Sequence, residues 1–466
     1  MTDNRNKKID DLMKSAQLKK EEGDLSGSLH LLEESLKLDN NNKRAFNNIG
    51  NIFKEMGNYE KAIKFYEKSN LIDNSYLIAK TNLAILYHEL GNLNKAKEIY
   101  KNIISLDKLN FSIYFNLSRI NFDYFTKEVI NFIKKSLETE NLSNYNKASA
   151  YFILAKNEQI KKNFEDEIEY LKKGHEFFCE SIPYKVFDQN LTYWLKIIPK
   201  NFKKLKLVNK KFLGKKNELI KPIFIIGMPR SGSTLVESII SSGKINIPNG
   251  GETAVINWGV SKLIRNKMLN KKINDDDLFI DSKKISEDII GRYENLNLLK
   301  EEKNYFFTDK SLENFFYIEL LVELFPNSKF IHCKRDNLDS IFAIYQNFLT
   351  KMSWTHSFKN ILEYLNNYLA VTKYFEEKFN DKIYSLNLSD LTNDSIKISK
   401  EIFMFCGLEW SKKSLEFHKR KDLYSKTASN IQIREKIYEY DKTKYKIYKK
   451  YIKNFVENYA WLKKDI

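Results

Sequence analysis

The chain has 466 residues, of which 42% are hydrophobic and 30% are charged, and this composition excludes a wholly disordered protein. Lys and Arg number 78 against 61 Asp and Glu, which gives a net charge of +17. The basic residues are dispersed and no nucleic-acid reader motif accompanies them, so we interpret the charge as a compositional bias and do not expect nucleic-acid binding.

Only three cysteines occur, Cys179, Cys333 and Cys406, which excludes a disulfide framework or a Cys-rich zinc site and is typical of a reducing compartment. The best apolar run, residues 223–226, is far shorter than the roughly 20 residues of a spanning helix. The charged N-terminal segment lacks the apolar core of a secretory signal. The sequence therefore predicts a cytoplasmic protein without a membrane span.

The N-terminal third repeats with a period of 34 residues. Gly23, Gly57 and Gly91 follow this spacing, and each precedes an Asn or Asp. The same offset relates small, aromatic and acidic positions: Ala16, Gly50 and Ala84; Ser28, Ala62 and Ala96; Leu32, Tyr66 and Tyr100; Ser35, Ser69 and Ile103; Asp39, Asp73 and Asp107. Small residues at fixed positions let paired helices approach closely, and Gly-Asn or Gly-Asp suits the turn between them.

These residues resemble the tetratricopeptide repeat, strongly over residues 8–108 and more weakly over 109–142 and 146–176. The resemblance implies an all-α solenoid over 8–176, which offers a face to a protein or peptide partner. Residues 177–217 are predicted as a helical linker.

An anion-binding loop follows the linker. A β-rich apolar run, residues 222–226, ends in Gly227-Met228-Pro229-Arg230-Ser231-Gly232-Ser233-Thr234, and LVESIISS after it has helical spacing. A buried strand, a glycine turn and a helix start together direct unpaired N–H groups at one point, which suits phosphate or sulfate.

The spacing of Gly227 and Gly232 fits the pattern GxxxxGK[ST] of nucleotide triphosphatases, but Ser233 occupies the lysine position. Because that lysine bridges terminal phosphates, hydrolysis of ATP or GTP is disfavoured. Arg230 inside the loop is suited to a bidentate grip on an anion.

The segment PIFIIGMPRSGSTLVE resembles the 5′-phosphosulfate loop of sulfotransferases that use 3′-phosphoadenosine 5′-phosphosulfate (PAPS), above all the group with N-terminal tetratricopeptide repeats, and more distantly tyrosylprotein sulfotransferases. The resemblance covers residues 218–456. It implies a C-terminal α/β sulfotransferase domain of P-loop type over 218–466, with a parallel-sheet core. PAPS is the implied co-substrate, held in the loop by Arg230, Ser231, Gly232, Ser233 and Thr234.

Three further segments carry the resemblance. Lys310 follows a predicted strand at residues 305–307, where the family has a lysine that bonds the oxygen bridging phosphate and sulfate. Arg335 matches the arginine of the 3′-phosphate motif, although Asn337 replaces its proline and Ala343 its serine. Ser429 matches the serine of the family's TASxxQVR, which contacts the phosphosulfate, and Arg434 matches its arginine, which implies a phosphate contact. Leu388 stands where tyrosylprotein sulfotransferases have a nucleotide-contacting tyrosine.

Sulfuryl transfer needs a base for the acceptor hydroxyl. Glu252 occupies the position of the glutamate that the family uses for this purpose. The expected catalytic residues are therefore Glu252, Lys310 and Ser429, with direct in-line transfer to a hydroxyl or amine and no metal. The segment Met352 to Phe358 is expected near the acceptor, whose identity the sequence leaves open. Two alternatives remain: a P-loop small-molecule kinase, and a repeat-based interaction protein whose transferase domain has lost activity.

Overall fold

The computed structural model describes residues 2–269, 278–299, 305–427, 429–441 and 443–465. The chain forms two compact units, one of Met1–Phe125 with Ile290–Lys300 and the other of Thr126–Ile289 with Glu301–Ile466. The predicted fold class is confirmed: helical repeats come first, and an α/β part with parallel sheets follows. The domain limits expected at residues 176 and 217 stay predictions.

The first unit contains antiparallel helix pairs of the repeat type. The glycines of the 34-residue period end the first helix of each pair in a left-handed conformation, with φ of 85°, 73° and 79° at Gly23, Gly57 and Gly91. The next residue then caps the second helix, because the side chains of Asp24 and Asn58 accept hydrogen bonds from backbone N–H groups three residues on. The helices are α1 Thr2–Glu22, α2 Leu25–Leu38, α3 Lys43–Glu55, α4 Tyr59–Ile72, α5 Leu77–Glu89, α6 Leu93–Leu106 and α7 Phe111–Ile120.

The other small residues of the period lie where the paired helices cross. Ala62, Ala84 and Ala96 are fully buried. A Cβ atom added at Gly50 would lie 2.6 Å from the ring of the buried Tyr66. The repeat positions therefore follow from close helix packing.

The second unit contains most of the remaining elements. Its helices are α8 Lys127–Thr139, α9 Asn144–Ile160, α10 Phe164–Glu180, α11 Tyr184–Thr192, α12 Ile198–Asn201, α13 Lys215–Leu219, α14 Ser233–Ile240, α15 Val255–Leu269, α16 Ser282–Asn295 (whose last residues belong to the first unit), α17 Ile318–Leu324, α18 Asn337–Tyr345, α19 Phe358–Lys378, α20 Leu388–Asn393, α21 Ser395–Cys406 and α22 Leu462–Asp465. Its strands are β1 Leu205–Val208, β2 Ile220–Gly227, β3 Leu278–Asp281, β4 Tyr305–Asp309, β5 Lys329–Lys334 and β6 Ile383–Asn387.

A four-stranded parallel sheet organises this unit, in the order β4-β2-β5-β6. Strand β2 is central and almost wholly buried, which explains its continuous apolar sequence. Phe224 pairs with Asp309, and Gly227 pairs with Cys333, so the carboxyl ends of β2, β4 and β5 lie side by side. The loops that follow these three strands carry Arg230, Lys310 and Arg335, and the sheet therefore brings the predicted site segments to one edge.

The linker prediction missed a strand. Residues 205–208 form β1, which pairs in parallel with β3 as a separate two-stranded sheet. The segment around it is otherwise helical and includes a π-helix at Tyr193–Ile197.

Helix α10, which the sequence assigns to the repeats, is firmly tied into the second unit. The buried carboxylate of Glu167 accepts hydrogen bonds from Tyr448 Oη at 2.7 Å and from Gln346 Nε2 at 2.8 Å. His175 Nδ1 lies 2.9 Å from His356 Nδ1, and His175 Nε2 lies 2.9 Å from the carbonyl oxygen of Tyr345. Both histidines are buried, so α10 forms part of the core of this unit.

Candidate active site

The loop after β2 has the shape that the sequence predicts for an anion site. Three of its residues have positive φ: Gly227 at 149°, Arg230 at 69° and Gly232 at 88°. Helix α14 begins at Ser233, so the N–H groups of its first turn have no intrahelical acceptor. Ser231 Oγ is buried and has no hydrogen-bond partner among the described residues. This orphaned hydroxyl and the helix start fit an anionic group of the kind that PAPS carries.

Gly227 allows the strand to leave the sheet at this point. A Cβ atom there would lie 2.5 Å from the carbonyl oxygen of Cys333 on the neighbouring strand. At Gly232 a Cβ would lie equally close to Leu388, which packs over the loop. Leu388, the position where tyrosine is expected, therefore serves as an apolar cover for the loop backbone.

Arg230, Arg335 and Ser429 come together around this loop. The guanidinium of Arg230 donates to Ser429 Oγ, and its Nη2 donates to Gln432 Oε1 at 3.2 Å. Arg335 Nη1 donates to the backbone carbonyl of Arg230 at 2.9 Å. Arg230 thus contacts Arg335, 105 positions away in the chain, and Ser429, 199 positions away, and the two arginines give the cluster its positive charge.

Aromatic rings hold Arg335 in place. Its guanidinium lies 5.1 Å from the ring centroid of Tyr440 and 5.4 Å from that of Tyr445, and its Nε donates to Tyr440 Oη at 3.2 Å. Tyr440 Oη in turn donates to Asp339. Burial would lower the pKa of Arg335, but the two tyrosines and Asp339 outweigh it and raise the pKa.

A cavity of about 290 Å³ opens beside this arginine. Its lining includes Arg335, Asp336, Leu388, Ser389 and Tyr440. A fixed cation at the wall of such a cavity suits a phosphate group.

No serine of α18 takes the place of the one that Ala343 replaces in the 3′-phosphate motif. Ala343 is buried inside α18. Ser340 Oγ donates to the carbonyl oxygen of Asp336 at 2.9 Å, so its hydroxyl is bound within its own helix. Arg335 is therefore the cationic side chain of this motif at the cavity, and its contact with a 3′-phosphate stays a prediction.

The buried Lys310 forms an ion pair with the partly exposed Glu252, with Lys310 Nζ 3.1 Å from Glu252 Oε1. The lysine side chain is 1% exposed, whereas that of Glu252 is 34% exposed. Burial would raise the pKa of Glu252 and lower that of Lys310, but the mutual charge attraction prevails and shifts each pKa the opposite way. The carboxylate is thus ionised and reachable from solvent.

A residue that sequence reasoning missed, Glu237, fixes the loop that carries Glu252. Its buried carboxylate accepts from Gly251 N and from Thr308 Oγ1, each at 2.9 Å. Lys310 N also donates to the carbonyl oxygen of Gly251, at 2.8 Å. Burial raises the pKa of Glu237, although the charge of Lys310 opposes this. The available signal was a glutamate on the otherwise apolar face of LVESII.

Glu313 is a second carboxyl near the pair that the sequence did not single out. It lies on the 3₁₀ turn Leu312–Tyr317, which follows Lys310. Burial raises its pKa to about 7, and the charges of Asp309 and Glu252 act in the same direction.

The segment that contains Ser429 closes over the loop. Thr427 Oγ1 lies 3.2 Å from Thr234 Oγ1, which joins this segment to the start of α14. Arg434 instead donates to the carbonyl oxygen of Leu423 at 2.5 Å and to Asn430 Oδ1 at 3.3 Å. The structure thus brings Ser429 to Arg230, while Arg434 holds its own loop together, and its phosphate contact stays a prediction. Ala428 of the motif lies outside the described residues.

Within the described ranges, no group of three His, Cys, Asp or Glu side chains is arranged to hold a metal ion. No helix in this part of the chain is long and apolar enough to cross a membrane.

Comparisons with known proteins agree with this geometry. Residues 222–412 match the model of the sulfotransferase family, and residues 44–69 and 78–108 match models of the tetratricopeptide repeat. An uncharacterized protein of Aquifex aeolicus (strain VF5) is 30% identical over 352 residues, which cover 71% of this chain and 44% of that protein. The chain therefore spans less than half the length of this curated relative.

Solved structures similar to the chain include sulfotransferases at low identity. The sulfotransferase domain of the Synechococcus PCC 7002 olefin synthase is 16% identical, with coverage of 49% of this chain and 87% of that domain and a TM-score of 0.31. A sulfotransferase from Mycobacterium tuberculosis H37Rv is 11% identical, with coverage of 63% and 92% and a TM-score of 0.30.

Proposed function

Because the chain contains a sulfotransferase-family domain behind tetratricopeptide repeats, we propose that it transfers a sulfuryl group from PAPS to an acceptor hydroxyl or amine. The observation that carries the proposal is the meeting of Arg230, Arg335 and Ser429 at the carboxyl edge of the sheet. The first turn of α14, which begins at Ser233, and the orphaned Ser231 hydroxyl supply further donors to the same place.

Each residue has a distinct task in this proposal. The loop amides and Arg230, with Ser231 and Thr234, hold the 5′-phosphosulfate, and Arg335 holds the 3′-phosphate. PAPS supplies a sulfuryl group already activated by its bond to phosphate. Lys310 and Ser429 stabilise the negative charge that collects on the bridging oxygen as the bond between that oxygen and sulfur breaks.

Glu252 takes the proton of the acceptor as the acceptor oxygen forms its bond to sulfur. In the free protein, Lys310 keeps the pKa of this carboxyl low. When the lysine turns to the bridging oxygen, it no longer neutralises Glu252, whose pKa then rises and whose strength as a base increases.

The repeats of the first unit recruit a protein or peptide partner or substrate in this proposal. Stacked helix pairs form an extended surface of the kind that binds such ligands. The Gly-Asp and Gly-Asn turns fix the geometry of that surface.

The decisive experiment is a comparison of nucleotides by thermal shift and calorimetry. We expect 3′-phosphoadenosine 5′-phosphate (PAP) to bind at least tenfold more tightly than AMP, and Arg335→Ala to remove this preference while AMP binding persists. Arg44→Ala is the matched control, since Arg44 pairs with Asp10 on the repeats. A protein that binds ATP in preference to PAP would favour the kinase alternative, and binding of PAP without sulfate transfer in a cell extract would favour loss of activity.

A further inference from the structure

The second unit contains a groove of about 250 Å³ that the proposed chemistry does not explain. One wall comes from the end of α10, from α11 and from the π-helix that follows it. The opposite wall comes from α15 and from residues 350–353. Each of these elements lies within the second unit.

Three observations place this groove close to the proposed transfer site. Lys351 lines the groove, and its charge contributes to the lowered pKa of Glu252. Asn257 also lines it and lies on α15, five residues after Glu252. Tyr317 Oη, on the turn that follows Lys310, donates to Asn257 Oδ1 at 2.7 Å.

Two polar groups of the groove, the Ser353 hydroxyl and the Asn257 Nδ2 group, have no hydrogen-bond partner among the described residues. Ser353 Oγ is buried and has no hydrogen-bond partner among the described residues. The carbonyl of Asn257 accepts from both Tyr317 and Tyr193, whereas no described residue accepts from its Nδ2. Because buried polar groups are normally paired, the orphaned Ser353 hydroxyl points to a ligand that forms hydrogen bonds, and the amide nitrogen of the half-buried Asn257 can donate to the same ligand.

An aromatic face accompanies these groups. Trp194 is half-buried, lines the groove and lies in the π-helix Tyr193–Ile197, a type of helix that is frequent at functional sites. The helix also places Tyr193 beside Asn257, with Tyr193 Oη 3.2 Å from Asn257 Oδ1.

We propose that this groove binds the acceptor and that the acceptor is a saccharide, an assignment that rests on the proposed sulfuryl transfer. Sugar hydroxyls donate and accept, as the unpaired serine hydroxyl and the asparagine amide require. The C–H face of a sugar ring packs on an indole ring. The alkyl chain of a long-chain alcohol would leave the Ser353 hydroxyl and the Asn257 Nδ2 group without hydrogen-bond partners. Trp194, Asn257 and Ser353 are therefore residues that determine acceptor specificity.

The first test is an acceptor panel with radiolabelled PAPS. The probes are methyl glucoside, maltose, cellobiose, N-acetylglucosamine and glucuronic acid, compared with 4-nitrophenol, a tyrosine-containing peptide and decanol. We expect the highest kcat/KM with one of the sugars. Higher kcat/KM with the phenol, the peptide or decanol than with every sugar, or no transfer to any sugar, would overturn the assignment.

The second test uses variants with the best sugar. Trp194→Ala and Ser353→Ala should each raise KM at least tenfold, with kcat changed less than threefold and PAP affinity unchanged. Trp461→Ala, outside the groove, should leave KM unchanged. Unchanged KM in both groove variants would contradict the proposal. If the unaltered protein does not bind PAP, the proposed transferase function itself is refuted. A wrong acceptor assignment can therefore be distinguished from a wrong transferase function.

Discussion

The repeat helices and the transferase site are built from contacts of very different range. In the first unit, Ser28 Oγ donates to the carbonyl of Ala16, 12 residues away, and Tyr66 Oη donates to Asn51, 15 residues away. In the site, Arg230 meets Ser429 across 199 residues. The first kind of contact leaves a periodic signal in the sequence, whereas the second leaves none between the two segments.

Gly57 in the repeats and the two glycines of the anion loop are required for different reasons. In the repeats, Gly57 ends a helix and nothing crowds it, because the nearest atom to an added Cβ is 3.9 Å away. In the anion loop, Gly227 and Gly232 let other parts of the chain approach the backbone. The anion loop therefore depends on close approach between distant segments, whereas the repeat turn at Gly57 depends on local conformation. Three predictions test this difference.

The largest effect on activity is expected when either member of the Lys310–Glu252 ion pair is replaced. Lys310→Ala and Glu252→Gln should each lower sulfate transfer by about 10²–10⁴-fold, because one removes the charge opposite the leaving oxygen and the other removes the base. PAP binding should be largely preserved, since the arginines and loop amides remain. Steady-state kinetics and calorimetry measure the two quantities.

Lys244→Ala is the matched control, because this exposed lysine pairs only with the exposed Glu409 among the described residues. Its transfer rate should equal that of the unaltered protein. An unchanged rate in the Lys310 or Glu252 variant would remove that residue from its proposed role.

A smaller effect concerns the histidine pair that joins α10 to the second unit. Burial lowers the pKa of His175 from 6.5 to about 4 and that of His356 well below its ordinary value. In the unfolded chain these histidines take up protons below about pH 6.5, whereas the folded protein resists protonation. The free energy of unfolding should therefore fall as the pH drops from 6.5 to 4, by on the order of 2–3 kcal/mol for His175.

Urea unfolding of the full chain at several pH values measures this dependence. In the His175→Gln variant the free energy of unfolding should fall less steeply over the same pH interval. In the His30→Gln variant, which changes an exposed histidine, it should fall as in the unaltered protein. Identical pH dependence in all three proteins would contradict the buried-pair explanation.

The smallest effect separates the two uses of small residues within the repeats. Gly50→Ala should destabilise the first unit by about 1–3 kcal/mol, because the new methyl group meets the buried ring of Tyr66. Gly57→Ala should cost only about 1 kcal/mol, since the left-handed φ of 73° is its only penalty. Urea unfolding of the full-length variants measures both. A larger loss of unfolding free energy in Gly57→Ala than in Gly50→Ala would show that turn conformation contributes more than helix packing to the stability of the repeats.

Much of the fold follows from the sequence alone. The 34-residue period predicts the helix pairs, and the four strands β2, β4, β5 and β6 lie where apolar runs precede the predicted site segments. Strand β1 was missed because LKLV lies in a lysine-rich segment and pairs with β3, more than 70 residues later. A four-residue strand of this kind depends on its tertiary partner and not on a local pattern.

The site shows the same limit. The resemblance singled out Arg230, Arg335 and Ser429, which meet in the structure, and Lys310 and Glu252, which form the ion pair. It did not single out Glu237 or Tyr440, because each acts on a distant residue of the site rather than within a motif. The groove with Trp194 was missed for a further reason: its lining joins residues of the predicted linker, such as Trp194, to residues of the transferase domain, such as Asn257 and Ser353, and no single motif contains them.

The left-handed backbone at Arg230 has a consequence for protein synthesis. A non-glycine residue with φ of 69° is unfavourable by itself, and here Ser429, Gln432 and Arg335 hold it. A nascent chain cannot give the anion loop its final form until the ribosome has released residue 432. Within the helix pairs at the start of the chain, Ser28 and Tyr66 bond to residues only 12 and 15 positions away, so these pairs can form on the ribosome before the anion loop is complete.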